Sequence, residues 1–211
     1  MRKLLLILAV FALGVCPSWA DTLHYYSWED EGTVLGFDGD NGDGSEAMFA
    51  SAVGLPDPVR TGTYSLRLED NLASGTPQAF LAYVWDLQPN DTVSALFWRY
   101  DVTFNAAPSC RLWGHWNDSL PGDYFVYDGS AGGQSDYGPG AGWDLAWYDF
   151  INTDGHTGLV IECRTYSSPG DIVYIDDMEI MIPDHASIMI PNAGFVGTEA
   201  RSFGAVKALF R

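Results

Sequence analysis

The feature that most limits what this chain can fold into is a recurrence of short strand-like segments, with no helical segment between them. Period-2 or continuous apolar runs rich in Val, Ile, Tyr, Phe and Trp occupy 22–27, 33–37, 64–69, 78–87, 92–104, 109–117, 123–128, 143–151, 157–166 and 171–182. Between them stand Gly/Asp/Asn/Pro clusters such as Asp38-Gly-Asp-Asn-Gly-Asp-Gly-Ser45, Gln88-Pro-Asn-Asp91 and Ser167-Ser-Pro-Gly170. No window of eleven residues carries a helical apolar stripe with caps. About ten strands without intervening helices predict an all-β antiparallel sandwich, a jelly roll. The apolar share of 47% supplies a core for one domain of this length.

The first twenty residues read as an address. Arg2 and Lys3 precede an apolar run from Leu4 to Val15, and Ser18-Trp19-Ala20 surrounds a cleavage point, so residues 1–20 are expected to be a secretory signal peptide. The run is too short to cross a bilayer as an anchor helix. The expected domain covers 21–183, and 184–211 forms a tail ending in Arg201, Lys207 and Arg211, either frayed or a sorting or docking element. The formal charge is −18, and removing 1–20, with its two cations and no acid, leaves −20. That charge excludes a nucleic-acid binder, which needs a field of Lys and Arg, and disfavours polyanionic ligands and anionic membranes.

Side chains alternate between the faces of a strand, so parity sorts the candidate functional residues. On 109–116, Cys110, Leu112 and Gly114 share one face, and Arg111, Trp113 and His115 the other. On 159–166, Leu159, Ile161, Cys163 and Thr165 oppose Val160, Glu162, Arg164 and Tyr166. On 93–104, Leu96, Trp98, Tyr100, Val102 and Phe104 read as the core row, which places Arg99 and Asp101 opposite. The eight residues Arg99, Asp101, Arg111, Trp113, His115, Glu162, Arg164 and Tyr166 are therefore expected to form one polar, aromatic face. A merely solvated face would carry Lys, Ser, Thr and Glu. Three arginines among aromatic rings read as a recognition surface, the alternative being a solvated face of internal Arg–acid pairs. Trp113 is the first choice of stacking platform, Tyr166 the second, with Trp116, Trp143 and Trp147 as alternatives.

Cys110 and Cys163, the two cysteines after residue 20, both fall on the apolar rows. In an oxidising compartment they are expected to pair as a disulfide, the alternative being two buried thiols acting as small hydrophobes.

Three stretches carry a family resemblance: Ser27-Trp-Glu-Asp-Glu-Gly32, Thr61-Gly-Thr-Tyr-Ser-Leu-Arg-Leu68 and Val173-Tyr-Ile-Asp-Asp-Met-Glu-Ile180. In this order they resemble CenC-like jelly-roll carbohydrate-binding modules, over most of 25–182. The resemblance implies one structural Ca²⁺, held by the Glu29 carboxylate, the Thr63 carbonyl and Asp176, a mixed oxygen shell that suits this ion. A second acidic loop, 38–46, fails the EF-hand template and reads as a turn.

The chain has no G-x-S-x-G elbow, no zinc-spaced histidines and no phosphate loop. The expectation is a secreted, non-catalytic protein that binds a neutral polysaccharide or oligosaccharide on the polar face. Two alternatives stand beside it. One is a secreted adhesion or surface-structural protein. The other is a jelly-roll lyase or glycoside hydrolase using Arg111, His115, Glu162, Arg164 and Tyr166, with Asp101 and Glu162 as the acid pair.

Overall fold

The computed structural model describes residues 21–30, 32–37, 46–51, 58–70, 77–101, 110–119, 123, 125–138, 141–165 and 170–191. The expected leader 1–20, Tyr166, the turn at 38–45 and the end of the tail from 192 lie outside them. Among the described residues there is no helix, and every strand pairing is antiparallel.

In chain order the strands are β1 (Asp21–Tyr26), β2 (Gly36–Phe37), β3 (Glu46–Ser51), β4 (Tyr64–Glu69), β5 (Gln78–Trp85), β6 (Thr92–Asp101), β7 (Cys110–Trp116), β8 (Gly129–Gly133), β9 (Gly142–Ile151), β10 (Gly158–Thr165), β11 (Ile172–Pro183) and β12 (Ser187–Met189). The first sheet runs β3-β4-β11-β6-β9, with β1 also on β11; the second runs β12-β5-β10-β7-β8, with β2 also on β5. Strands β3 and β12 had no counterpart in the sequence reading. The segment expected as a strand at 123–128 is instead the approach to β8.

The two sheets bury one core between them. The second sheet contributes Leu81, Val84, Leu112, Leu159 and Ile161; the first contributes Leu66, Leu68, Val93, Phe97, Phe150, Val173, Ile175 and Ile180. Each of the larger side chains is worth roughly 1.5–3 kcal/mol against leaving it in water. Strand β11 serves two partners on one edge: Ile172–Ile175 pairs with β4 and Met178–Pro183 with β1. A bulge at Asp176-Asp177 makes the change, with Asp177 at φ 48°. The extra residue reverses parity, so Val173 and Ile175 face the core before it, and Met178, Ile180 and Ile182 after it.

On β6 the expected faces are exchanged. Val93, Ala95 and Phe97 are in the core, while Leu96 packs with Leu23 and Met181 on the far side of the sheet. Register carries the row on: Arg99 lies across from Ile175, and Asp101 from Val173. Arg99 and Asp101 therefore point between the sheets and do not join the polar face of β7 and β10. Trp98 and Tyr100, read as core, lie on the outer side: the Arg60 guanidinium covers the Trp98 ring at 3.8 Å, and Tyr100 meets Trp143 edge-on at 5.3 Å. Each row of β6 holds three apolar residues, Val93, Ala95 and Phe97 against Leu96, Trp98 and Tyr100, so alternation by itself does not say which is inside.

Cys110 and Cys163 do share the inner face, but both are free thiols. Cys110 lies across from Thr165 and Cys163 from Leu112, so the two are diagonal neighbours offset by two residues. Burial pushes the Cys163 thiol well above its ordinary value, and the neighbouring Cys110 adds to this. The expected disulfide is thus corrected to a pair of buried thiols.

Candidate functional site

The outer face of the second sheet is built mainly by β7 and β10. Their register sets Arg111 across from Arg164, Trp113 across from Glu162, and His115 across from Val160. Two guanidiniums directly opposite would repel. Both instead lie against the Trp113 ring: the Cζ of Arg111 is 4.8 Å from its centroid and that of Arg164 4.6 Å. Such contacts are worth about 0.5–2 kcal/mol each. Trp113 is half-buried under this cover, and its Nε1 is buried without a hydrogen-bond partner among the described residues.

Glu162 holds the group together from beneath. It is 0% exposed, Oε2 accepts from Arg164 Nε at 3.0 Å, and Oε1 meets His115 Nδ1. His115 is 3% exposed, with Phe80 edge-on at 5.4 Å and Tyr127 at 5.5 Å. Its Nε2 is buried and has no partner among the described residues. Five of the eight expected residues are thus brought together, Arg111, Trp113, His115, Glu162 and Arg164. Arg99 and Asp101 are on the inner side, and Tyr166 is outside the described residues.

Above this floor stand rings that the sequence reading did not select. Phe125, Tyr127 and Tyr137 are 57%, 58% and 45% exposed. Phe125 packs on Phe80 at 5.7 Å, Tyr127 on His115, and Arg111 lies over Tyr137 at 4.5 Å. Phe125 and Tyr127 lie on the approach to β8 and Tyr137 just beyond it. One signal for them was present: large aromatics in a segment otherwise made mostly of Gly, Asp, Ser and Gln. Arg99 anchors this segment from inside the sandwich. Its Nη1 donates to the Asp136 carbonyl at 3.1 Å and also to the Cys110 carbonyl, and Nε and Nη2 donate to Asp144 Oδ2 at 3.1 and 2.7 Å. A Cβ on Gly138, which has φ +89°, would stand 3.0 Å from the Arg99 Cζ.

The residues expected around calcium gather at the turn Arg60–Tyr64. Glu29 Oε1 accepts the N–H groups of Thr63 and Tyr64 at 2.8 and 2.9 Å, and a Cβ on Gly62 would fall 2.2 Å from it. Asp176 Oδ2 accepts from the N–H groups of Arg60 and Thr61 at 2.9 and 3.1 Å, and Oδ1 from that of Asp177 at 2.8 Å. Burial pushes Asp176 up to about 7, against the pull of these N–H donors. Among the described residues no three His, Cys, Asp or Glu side chains are grouped to hold a metal. With four lone-pair positions per carboxylate, Asp176 keeps one and Glu29 keeps those on Oε2, so this donor set fits calcium only with backbone carbonyls and water completing the shell.

The other tryptophans considered as platforms lie elsewhere. Trp116 is buried and stacked on His156 at 5.0 Å. Trp143 and Trp147 belong to the outer side of the first sheet, Trp147 being exposed and across from Leu96.

No family model matches the chain, and no curated protein matches it. Solved structures do. The N-terminal CBM22-1–CBM22-2 tandem domain of Xyn10C from Paenibacillus barcinonensis is 17% identical with a TM-score of 0.51, over 78% of this chain and 46% of that one. The CBM22-1 xylan-binding domain of the same enzyme is 16% identical with a TM-score of 0.47, over 75% and 92%. CBM27-1 of Caldicellulosiruptor saccharolyticus, solved with mannohexaose, is 16% identical with a TM-score of 0.43, over 74% and 95%. This chain spans less than half of the tandem it matches. What the likeness shows is the fold, an all-β antiparallel sandwich.

Proposed function

We propose that this protein is a secreted, non-catalytic carbohydrate-binding sandwich that takes a neutral glycan on the outer face of its second sheet. The observation that carries the reading is the pairing of exposed Phe125, Tyr127 and Tyr137 with a polar floor of half-buried Arg111, Trp113 and Arg164 over buried His115 and Glu162. Rings in water bind the apolar C–H face of a sugar, and a desolvated polar floor selects its hydroxyls. Arg164 is paired with Glu162, and Arg111 lies between the Trp113 and Tyr137 rings, so both guanidiniums sit among apolar ring faces that suit the C–H face of a sugar; the chain's strong negative charge disfavours a polyanionic ligand. Glu162, with both oxygens engaged, shapes the floor without touching ligand. The leader-like order of residues 1–20 supports secretion.

A structural calcium belongs to the same proposal. Glu29, Thr63 and Asp176 would hold it, and the ion would tie the segment after β1, the turn before β4 and the centre of β11 into one unit.

Native gels cast with xylan, galactomannan or mixed-linkage β-glucan test the main reading. The protein should be retarded by at least one of them, with the polysaccharide recovered unshortened. Tyr127→Ala and Tyr137→Ala should each weaken retardation about ten- to a hundredfold, if sugar stacking matches base stacking in strength. Retardation by none of the three, or release of shorter chains, removes the reading.

A further inference from the structure

The glycan reading leaves open what the floor selects, and the unpartnered nitrogen of His115 answers it. Arg164 Nε donates to Glu162 Oε2, and the carboxylate held in this way presents Oε1 to His115 as an acceptor. The hydrogen between His115 Nδ1 and Glu162 Oε1 therefore belongs to the imidazole. In the neutral ring this leaves Nε2 with a bare lone pair, buried beside Phe80 and Tyr127 and with no donor among the described residues. A buried acceptor without a donor is costly unless something supplies one. Two residues along the same face of β7, with Cα atoms about 7 Å apart by strand rise, Trp113 carries in Nε1–H a buried donor without an acceptor among the described residues.

Resting on the proposed glycan site, we infer that His115 Nε2 and Trp113 Nε1–H, both shut from solvent in the free protein, are uncovered when the exposed Tyr127 and Tyr137 rings shift onto a bound sugar; Nε2 is then the specificity-determining acceptor, reading a free hydroxyl, while Nε1–H donates to a second sugar oxygen. Glu162 is the positioning residue that fixes the tautomer. The ligand class follows: glycans whose hydroxyl at the His115 position is unsubstituted. An O-methyl or O-acetyl group there takes away the donor and adds bulk in a buried place. Hydroxyl-rich xylose or mannose chains qualify, and their fully etherified forms do not.

The test uses the protein without residues 1–20, labelled with ¹⁵N-histidine, at pH 8. Long-range proton–nitrogen spectra should show His115 protonated on Nδ1 and bare on Nε2. Saturation with xylohexaose or mannohexaose should move the Nε2 resonance toward the hydrogen-bonded range. Per-O-methylated hexasaccharide should not bind. His115→Phe should weaken binding tenfold or more. Should that variant not fold, Trp113→Phe, which keeps the ring under both guanidiniums and loses the N–H, is expected to weaken binding severalfold. A proton on Nε2 in the free protein, an unmoved Nε2 resonance in a saturated complex, or equal binding of the methylated sugar overturns this inference and leaves the glycan site standing. Binding of neither hexasaccharide, with no retardation by any polysaccharide, removes the site and the inference together.

Discussion

Arg99 and Asp144 face each other across β6 and β9 on the inner side of the first sheet, and their hydrogen bonds of 3.1 and 2.7 Å hold a guanidinium that is 4% exposed. The same guanidinium reaches the Cys110 and Asp136 carbonyls, so one buried charge joins the first sheet, the start of β7 and the segment carrying Tyr137. Removing one partner of a buried pair leaves the other uncompensated, a loss of about 3–5 kcal/mol. Asp144 is a third exposed, so solvent offsets part of that loss, and Asp136 at 3.7 Å from Arg99 moderates it further: Asp144→Ala should destabilise by about 1–3 kcal/mol. Arg99→Lys should not restore stability, since an ammonium cannot repeat the fork. Urea unfolding of both variants measures this; a midpoint unchanged in Asp144→Ala contradicts it.

Calcium removal should lower the melting temperature. An ion that binds the folded state alone contributes about 2.7 kcal/mol at a hundredfold excess over Kd, several degrees for a chain of this size. Asp176→Ala should abolish the difference between calcium and EDTA. Identical melting curves of the unaltered protein in the two conditions take the ion out of the account.

His24, on β1 across from Ile180, is held below its ordinary value by burial, and its Nδ1 has no partner among the described residues. The unfolded chain therefore binds a proton more readily than the folded one. Its contribution is complete above the unfolded value of about 6.5 and fades as pH falls below it. His24→Leu removes this titration and an unsatisfied polar atom, so its stability relative to the unaltered protein should rise as pH drops from 7 to 5. Denaturant midpoints at the two pH values check the sign; a difference that shrinks toward pH 5 is the opposite result.

The thiols give a chemical test. Iodoacetamide at pH 8 should leave folded Cys110 and Cys163 unmodified, because both are buried and the Cys163 thiol is pushed upward. In urea without reductant both should alkylate fully. A disulfide-linked peptide in the digest would restore the bridge.

Much of this protein is legible in its amino-acid order. Strand segments and turn clusters are local properties, and they predict the all-β sandwich. The faces of β7 and β10 are also local, since Cys110, Leu112, Ile161 and Cys163 alternate with Arg111, Trp113, Glu162 and Arg164 in unmistakable contrast. Strand β6 lacks that contrast, because Val93, Ala95 and Phe97 are as apolar as Leu96, Trp98 and Tyr100. Its orientation was decided by register against β11, where Ile175 meets Arg99. The bulge at Asp176-Asp177 reverses alternation midway along β11, and a fixed period of two cannot show it.

The site divides in the same way. Its floor follows from the parity of two strands. Its rim does not, because Phe125, Tyr127 and Tyr137 reach the floor only through the path of the chain around β8. Whether a residue points up or down a strand is settled within a few bonds, and sequence alone determined it for β7 and β10. Which side lies inside, what covers it and whether two thiols come close enough to bond depend on contacts between segments distant in sequence, and only the packed tertiary structure decided those.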